Sequence, residues 1–265
     1  MVDSTTQVFT ILIILIGVVL TTLITQFTRR KKTPYALRNI PAYAVIPGMI
    51  GAAIEANRPV HLSFGSAGIG NENTLLALAS AELMFNVIER AAISPNPPII
   101  TMSDAAAIPL AQDTLRKAYQ SRDMLDRYRA SSVRWYPSGP RSLVLAAALT
   151  GMMADDDVQA NVLSGSFGAE VALIGSQAGR RNQSLIVTSD QLDGQAVALA
   201  MSDEPLIGEE IFVAGAYFND RRALLAAAVT QDVLRWLLII TIIILVILNV
   251  ADEEVGDILD VFLGG

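Results

Sequence analysis

VHLSFGSAGIGNENTLLALASAELMFNVIERAAISPNPPIITMSD, running from Val60 to Asp104, carries the main evidence for the fold. It opens on Val60 to Phe64, a short apolar run of strand length that stops at a Gly/Ser turn, Gly65-Ser66-Ala67-Gly68. From Asn73 to Ala92 the apolar residues recur at helical spacing, with Asn73 placed to cap the first turn. Pro97-Pro98 ends that pattern, and Ile99-Ile100-Thr101-Met102 begins a second strand that closes on Ser103-Asp104. Strand, helix, strand in this order is a crossover unit, so the two strands lie parallel in one sheet.

The same alternation extends along the chain. Asp104 opens a helix that carries Leu110 to Tyr119, Val133 to Tyr136 is a third strand, and a helix runs from Pro140 through Met153. Further strands are expected at Val162-Leu163, Leu185 to Thr188 and Ile211 to Ala214, from which Asp220 leads into a last helix. The expected fold class is α/β: a mainly parallel, Rossmann-like sheet with helices on both faces, flanked by N- and C-terminal transmembrane helices. Leu163-Ser164-Gly165-Ser166-Phe167-Gly168 followed by Leu185 to Asp190 echoes the opening unit, a Gly/Ser turn and then Ser-Asp. That echo reads either as a duplicated βαβα unit or as the punctuation that every such unit needs for turns and caps.

Two uncharged runs bracket the sheet region. Val8 to Phe27 has about the 20 residues that cross a hydrocarbon core, and Asp3 before it with Arg29-Arg30-Lys31-Lys32 after it argues for an uncleaved anchor. Trp236 to Val250 is shorter and reaches spanning length if Val233 and Leu234 are added and Arg235 snorkels. The chain is 52% hydrophobic and 17% charged, more apolar than one soluble core requires. Basic residues lie on the inner flanks, whereas the tail after Val250 holds Asp252, Glu253, Glu254, Asp257 and Asp260 without Lys or Arg. Positive-inside bias then puts both termini outside a bacterial inner membrane and the central domain in the cytoplasm. The expected segments are 1–32 as anchor and basic flank, 33–59 as juxtamembrane linker, 60–222 as the α/β domain, 223–251 as a helix continuing into the second span, and 252–265 as an acidic amphipathic tail. The linker holds Pro34, Pro41 and Pro47 but is too apolar for a free tether, which suits a membrane-surface turn or a packed interface segment.

Composition removes several chemistries. Without cysteine there is no disulfide, thiolate site or cysteine nucleophile, and with His61 alone neither a usual zinc site nor a Ser-His-Asp triad is readily built. His61 stands at the start of its strand, away from the carboxyl ends where sites on such sheets gather, so it reads as structural. A net charge of −7 argues against a nucleic-acid partner. What remains is a pair of turns. Gly65, Ser66, Gly68, Gly70 and Asn71 precede a long helix and could cradle a small phosphate-bearing ligand on backbone N–H groups; a tight packed turn uses the same glycines, and Glu72 opposes an anion. Gly165, Ser166 and Gly168 form the second turn, without the G-x-S-x-G frame of a nucleophile elbow. Ser103-Asp104 and Ser189-Asp190 lie at strand ends, where they could hold a hydroxyl-bearing ligand or hydrated ion, or simply cap helices. Asp155-Asp156-Asp157 reads as a solvated loop. The arginine-rich region 116–141 reads either as a face for anionic lipid or an acidic partner, or as a salt-bridged helix face.

The stretches HLSFGSAGIGNENTLLALASAELM, His61 to Met84, and IITMSDAAAIPLAQDTLRKAY, together with the flanking spans, resemble an uncharacterised family of bacterial two-span membrane proteins of unknown function, seen in filamentous green non-sulfur bacteria and relatives. That resemblance implies the architecture and no activity. The expected function is a membrane-anchored, non-catalytic module, a homo-oligomer or a subunit of a larger membrane complex in contact with membrane lipids. The alternative is a sensor or enzyme that binds a nucleotide, phosphate compound or lipid headgroup at the paired turns.

Overall fold

The computed structural model describes residues 4–30, 37–218 and 222–263. The chain divides into two compact units: 39–219 is one, and 1–38 with 220–265 is the other.

In the first unit, five strands form one parallel sheet: β1 (Val60–Gly65), β2 (Ile99–Met102), β3 (Val133–Trp135), β4 (Ala160–Ser166) and β5 (Ser184–Ser189). Every residue of β1, β2 and β4 is buried, as expected of central strands covered on both faces. The order is β3-β2-β1-β4-β5, so the chain builds outward from β1 in one direction and then from β4 in the other. The switch point therefore falls between β1 and β4, which pair from Val60↔Ala160 to Gly65↔Ser166 with a register shift after Ser63.

Side-chain alternation divides the core into two layers. Val60, Leu62, Phe64, Ile100, Met102 and Val162 meet residues of α2 (Pro41–Glu55), α3 (Thr74–Ala91) and α4 (Ile108–Ser121) on one face. Ile99, Leu163, Leu185 and Val187 meet α5 (Leu143–Asp155), α6 (Val171–Arg180) and α7 (Leu192–Met201) on the other. Helices thus cover both faces.

Much of the stretch expected as a linker is α2. Pro41 supplies the pre-set φ of a first helical position, and Ala42, Tyr43, Ile46, Met49, Ile50 and Ala53 form its buried stripe. The Tyr43 ring stacks on Tyr217 with centroids 4.7 Å apart, and its hydroxyl donates to the Glu210 carbonyl at 2.6 Å. Burial, then the nearby Glu210 charge, raises the Tyr43 hydroxyl pKa, which keeps it protonated as a donor.

The sixth strand expected at Ile211 to Ala214 is not formed. Residues 208–213 are a 3-10 helix that leads into α8 (Ala214–Phe218), and the Glu210 carboxylate accepts from Ile207 N at 3.0 Å. The place a sixth strand would take beside β5 is already filled. Asp203 N and Leu206 N donate to the Leu185 and Val187 carbonyls, while the Ser202 hydroxyl accepts from Val187 N and donates to Leu185 O. An irregular segment with side-chain donors closes the edge, which spares the sheet an open strand.

The second unit holds α1 (Ser4–Arg30) and α9 (Arg222–Leu263), the latter an unbroken helix of 42 residues. Among the described residues, Leu224–Ile244 of α9 is long and apolar enough to cross a membrane; the apolar stretch described in α1, Ile11–Gln26, is shorter. Gly17 of α1 faces Leu234 of α9. Residues 31–36, from the basic flank and the expected linker, and residues 219–221 lie outside the described residues.

Candidate functional site

The carboxyl ends of β1 and β4 meet at the switch point, and the two Gly turns interlock there. Ser66 donates to the Ser166 carbonyl through both its backbone N–H, at 2.9 Å, and its hydroxyl, at 3.1 Å. Gly65 has φ +58, and a methyl group on it would overlap the Ser166 carbonyl and the Phe167 ring. A methyl on Gly165 would likewise strike the Phe64 backbone. Both glycines are therefore needed for one strand end to lie against the other.

The flanking strands join the same clasp. Ser103, at the end of β2, donates to the Gly65 carbonyl through its N–H at 2.8 Å and its hydroxyl at 3.1 Å. Ser189, at the end of β5, donates to the Phe167 carbonyl and accepts from Phe167 N at 3.0 Å and Gln191 N at 3.1 Å. Gln191 in turn donates to the Ser166 hydroxyl at 2.9 Å. Gly65, Ser66, Ser103, Gly165, Ser166 and Ser189 thus form one hydrogen-bonded unit across four strands.

At the second turn the N–H cradle is served by the protein's own side chains. Gly168 N donates to Glu170 Oε1 at 2.9 Å and Ala169 N to Asp193 Oδ2 at 3.1 Å. At the first turn the Asp104 carboxylate packs against Gly68, accepts from Ala106 N at 2.8 Å, and takes a longer bond from the Asn71 amide at 3.3 Å. The Asn71 side-chain carbonyl accepts from Asn73 N, and Gly70 N donates to the Thr74 hydroxyl. Asn73 makes no side-chain cap; the Asn71 and Thr74 side chains bond within the turn instead. Gly70 lies on the exposed outer turn, and Asp190 is exposed, with only a long 3.5 Å bond from the Ser189 hydroxyl. These two lie at the margin of the clasp.

Beside the second turn lies a cleft of about 670 Å³ lined by Arg141, Leu143, Gly168, Glu170, Leu173, Gln191 and Asp193 among others. Arg141 and Ser142 both hold positive φ at the head of α5, so the helix expected from Pro140 starts at Leu143 instead. Among the described residues no group of three or more Asp, Glu or His is placed to hold a metal ion.

His61 lies at the other end of the sheet, fully buried. Its Nδ1 is 2.9 Å from Asn161 Oδ1 and its Nε2 is 2.8 Å from Thr101 Oγ1. Asn161 donates its amide N–H to Gln183 Oε1 at 3.1 Å, which leaves Oδ1 facing His61 and makes His61 Nδ1 the protonated nitrogen. Burial lowers the His61 pKa to about 4, so the ring is a neutral bridge through a chain of donors from Thr101 to Gln183. The structural role of the histidine is legible from its place at the start of a strand. Its partners Asn161, Thr101 and Gln183 carry no linear signal, because they sit 40 to 122 residues away.

The acidic run is only partly solvated. Asp156 makes a bidentate pair with Arg134 at 2.5 and 2.9 Å, and that bond raises the arginine's pKa; Asp157 pairs with Arg58 at 2.6 Å. Lys117–Asp113 and Arg122–Glu89 pairs give region 116–141 the salt-bridged character of the second alternative above.

Taken together, a doubly wound parallel sheet, a switch point closed by interlocked turns and an apolar terminal helix define the class: an α/β protein with a helix fit to cross a membrane. The chain belongs to the family of the domain of unknown function DUF6754, whose model matches residues 2–259. No curated protein and no solved structure matches it.

Proposed function

We propose that the chain is a membrane-anchored module without catalytic activity that assembles, as a homo-oligomer or as a subunit of a larger membrane complex. In this reading α1 and α9 both span a bacterial inner membrane, with the termini outside and the sheet domain in the cytoplasm. The exposed apolar residues Val8 and Ile11 to Ile16 of α1, and those from Trp236 onward in α9, support two lipid-facing helices. The basic run Arg29 to Lys32 supports the orientation.

One observation carries the assembly role. At the carboxyl edge, where a parallel sheet ordinarily binds its ligand, the serines of the four strand ends bond to the turns and the second turn's N–H groups bond to Glu170 and Asp193, while apolar side chains stand in solvent. Leu75, Leu143, Leu173 and Leu192 each sit in the first turn of a helix that follows a strand, and Leu192 is 83% and Leu75 72% exposed. An apolar rim around an internally bonded centre suits a protein partner better than a small polar ligand. In mild detergent the purified chain should run as an oligomer or carry stoichiometric partners in native mass spectra, and Leu75→Asp with Leu192→Asp should release a monomer. A wild-type monomer free of partners at every concentration would end this reading.

A second reading rests on the cleft by Gly168. Its carboxylates, Glu170 and Asp193, already accept the turn's N–H bonds, so a phosphate would have to displace them. A nucleotide panel tests it: a ligand at roughly 100 times its dissociation constant adds about 2.7 kcal/mol to stability. Absence of any thermal shift removes that alternative.

A further inference from the structure

The opposite edge of the sheet, where the strands begin, holds a cavity of about 330 Å³, at the small end of the range for ligand pockets. Its lining comes from the connections that enter β1, β2, β3 and β4, segments as far apart as Asn57 and Asp157 that the strand order sets side by side. Two ion pairs frame it, Arg58 with Asp157 and Arg134 with Asp156. Arg58 is tied to the backbone as well, donating to the Asp157 and Val158 carbonyls at 2.8 and 2.9 Å. Each carboxylate in the cavity wall is thereby matched by a guanidinium.

Arg129 supplies the charge that remains. Three guanidinium groups and two carboxylates line the cavity, a formal charge of +1. Among the described residues Arg129 has no carboxylate partner; its Nη1 donates to the Asp126 and Tyr128 carbonyls at 2.9 and 3.2 Å. Those bonds to its own loop hold the side chain in place and leave Nε and Nη2, the edge that grips an oxyanion through parallel N–H bonds. Because the guanidinium is already ordered, less rotamer entropy is lost when a ligand binds.

Ser132 gives an independent indication. It lines the same cavity, is only 5% exposed, and its hydroxyl has no hydrogen-bond partner among the described residues. A nearly buried hydroxyl without a partner lowers stability unless something else supplies one. Its position relative to the arginine is fixed: Ala130–Ser132 form one 3-10 turn, and Ser132 N donates to the Arg129 carbonyl at 3.1 Å. A guanidinium edge and a hydroxyl held one turn apart can converge on a single anionic group.

We propose that this cavity binds the oxyanion of a small ligand, a phosphate monoester or a carboxylate, with oxygens on the Nε and Nη2 edge of Arg129 and on the Ser132 hydroxyl, while Arg58 and Arg134 stay with their own carboxylates. The site is separate from the clasp and the cleft at the carboxyl edge, and it is independent of the assembly reading.

The test uses the full chain in a neutral detergent at fixed ionic strength, titrated with inorganic phosphate and glycerol phosphate in one series and with acetate and succinate in another, against sodium chloride as reference. At least one series should raise the melting temperature saturably above the chloride reference, and the series that does so identifies the group. Equilibrium dialysis with the labelled anion then gives its affinity. Arg129→Gln should weaken binding at least about tenfold, the loss expected for hydrogen bonds to a charged group. Arg129→Lys, which keeps the charge and loses the fork, should fall between wild type and Arg129→Gln. Ser132→Ala removes one oxygen, so it leaves the fold intact and should weaken binding severalfold even if Arg129→Gln fails to fold. Arg122→Gln, outside the cavity and paired with Glu89 in the wild type, should leave the affinity unchanged. No saturable shift in either series, or the same shift with chloride, would overturn the proposal. So would an affinity unchanged by both Arg129→Gln and Ser132→Ala, because the anion would then bind elsewhere.

Discussion

The lone histidine shows how much a side chain's meaning depends on what the fold brings to it. His61 is neutral because burial lowers its pKa from 6.5 to about 4. Unfolding restores the ordinary value, so between those two pH values the unfolded chain binds a proton that the folded chain refuses. Its contribution to stability is complete above pH 6.5 and is lost as pH falls toward 4, a change on the order of 3 kcal/mol at about 1.36 kcal/mol per unit. Denaturation midpoints measured across that range should fall with pH, and His61→Gln should flatten the profile. Gly65 makes the complementary case through the backbone. With φ +58 and the Ser166 carbonyl against its Cα, Gly65→Ala should cost on the order of 3 kcal/mol or more, read as a lowered melting temperature. The glycine is visible in the sequence as part of a turn; that it holds two strand ends together is not, because Ser166 is 101 residues further on.

Among the elements, α2 and the segment 202–218 are where local pattern and final structure part. The residues of α2 are apolar nearly all round, so no amphipathic stripe distinguishes a buried helix from one on a membrane surface, and three nearby prolines suggest a linker. Only the presence of a sheet face makes Ile46 and Ile50 core residues. Ile46→Ala should therefore destabilise the sheet domain by about 2–5 kcal/mol in chemical denaturation, a cost that a surface or linker position would not show. Ile211 to Ala214 has the composition of a strand, yet the outer edge of β5 is engaged by Ser202, Asp203 and Leu206, and the run coils into a 3-10 helix whose Ile211 packs with Ala67, Leu76 and Ala77. A segment's propensity yields to whether an edge remains to pair with.

For the whole molecule, the proposed two-span arrangement is tested by where single positions can be labelled. The chain has no cysteine, so single replacements report location without background. Ser4→Cys and Gly264→Cys should react with an impermeant maleimide in intact cells, and Ala200→Cys, exposed on α7, should react only after permeabilisation. Labelling of Ala200→Cys from outside would reverse the proposed orientation, and labelling of only one terminus would reduce two spans to one.

Linear pattern alone was enough for the class of the protein: alternation of apolar runs with helical spacing requires a parallel sheet between covering helices, and the uncharged run from Trp236 belongs to a helix fit for hydrocarbon. These are properties of period and composition, which act within a few turns of chain. Folding in three dimensions added that the two Gly turns clasp each other at the β1–β4 switch point, that Glu170 and Asp193 take the turn's N–H groups, and that Asn161 and Thr101 make His61 a neutral bridge. The clasp and the His61 bridge join groups far apart in sequence at about 3 Å, a distance that strand order and register fix.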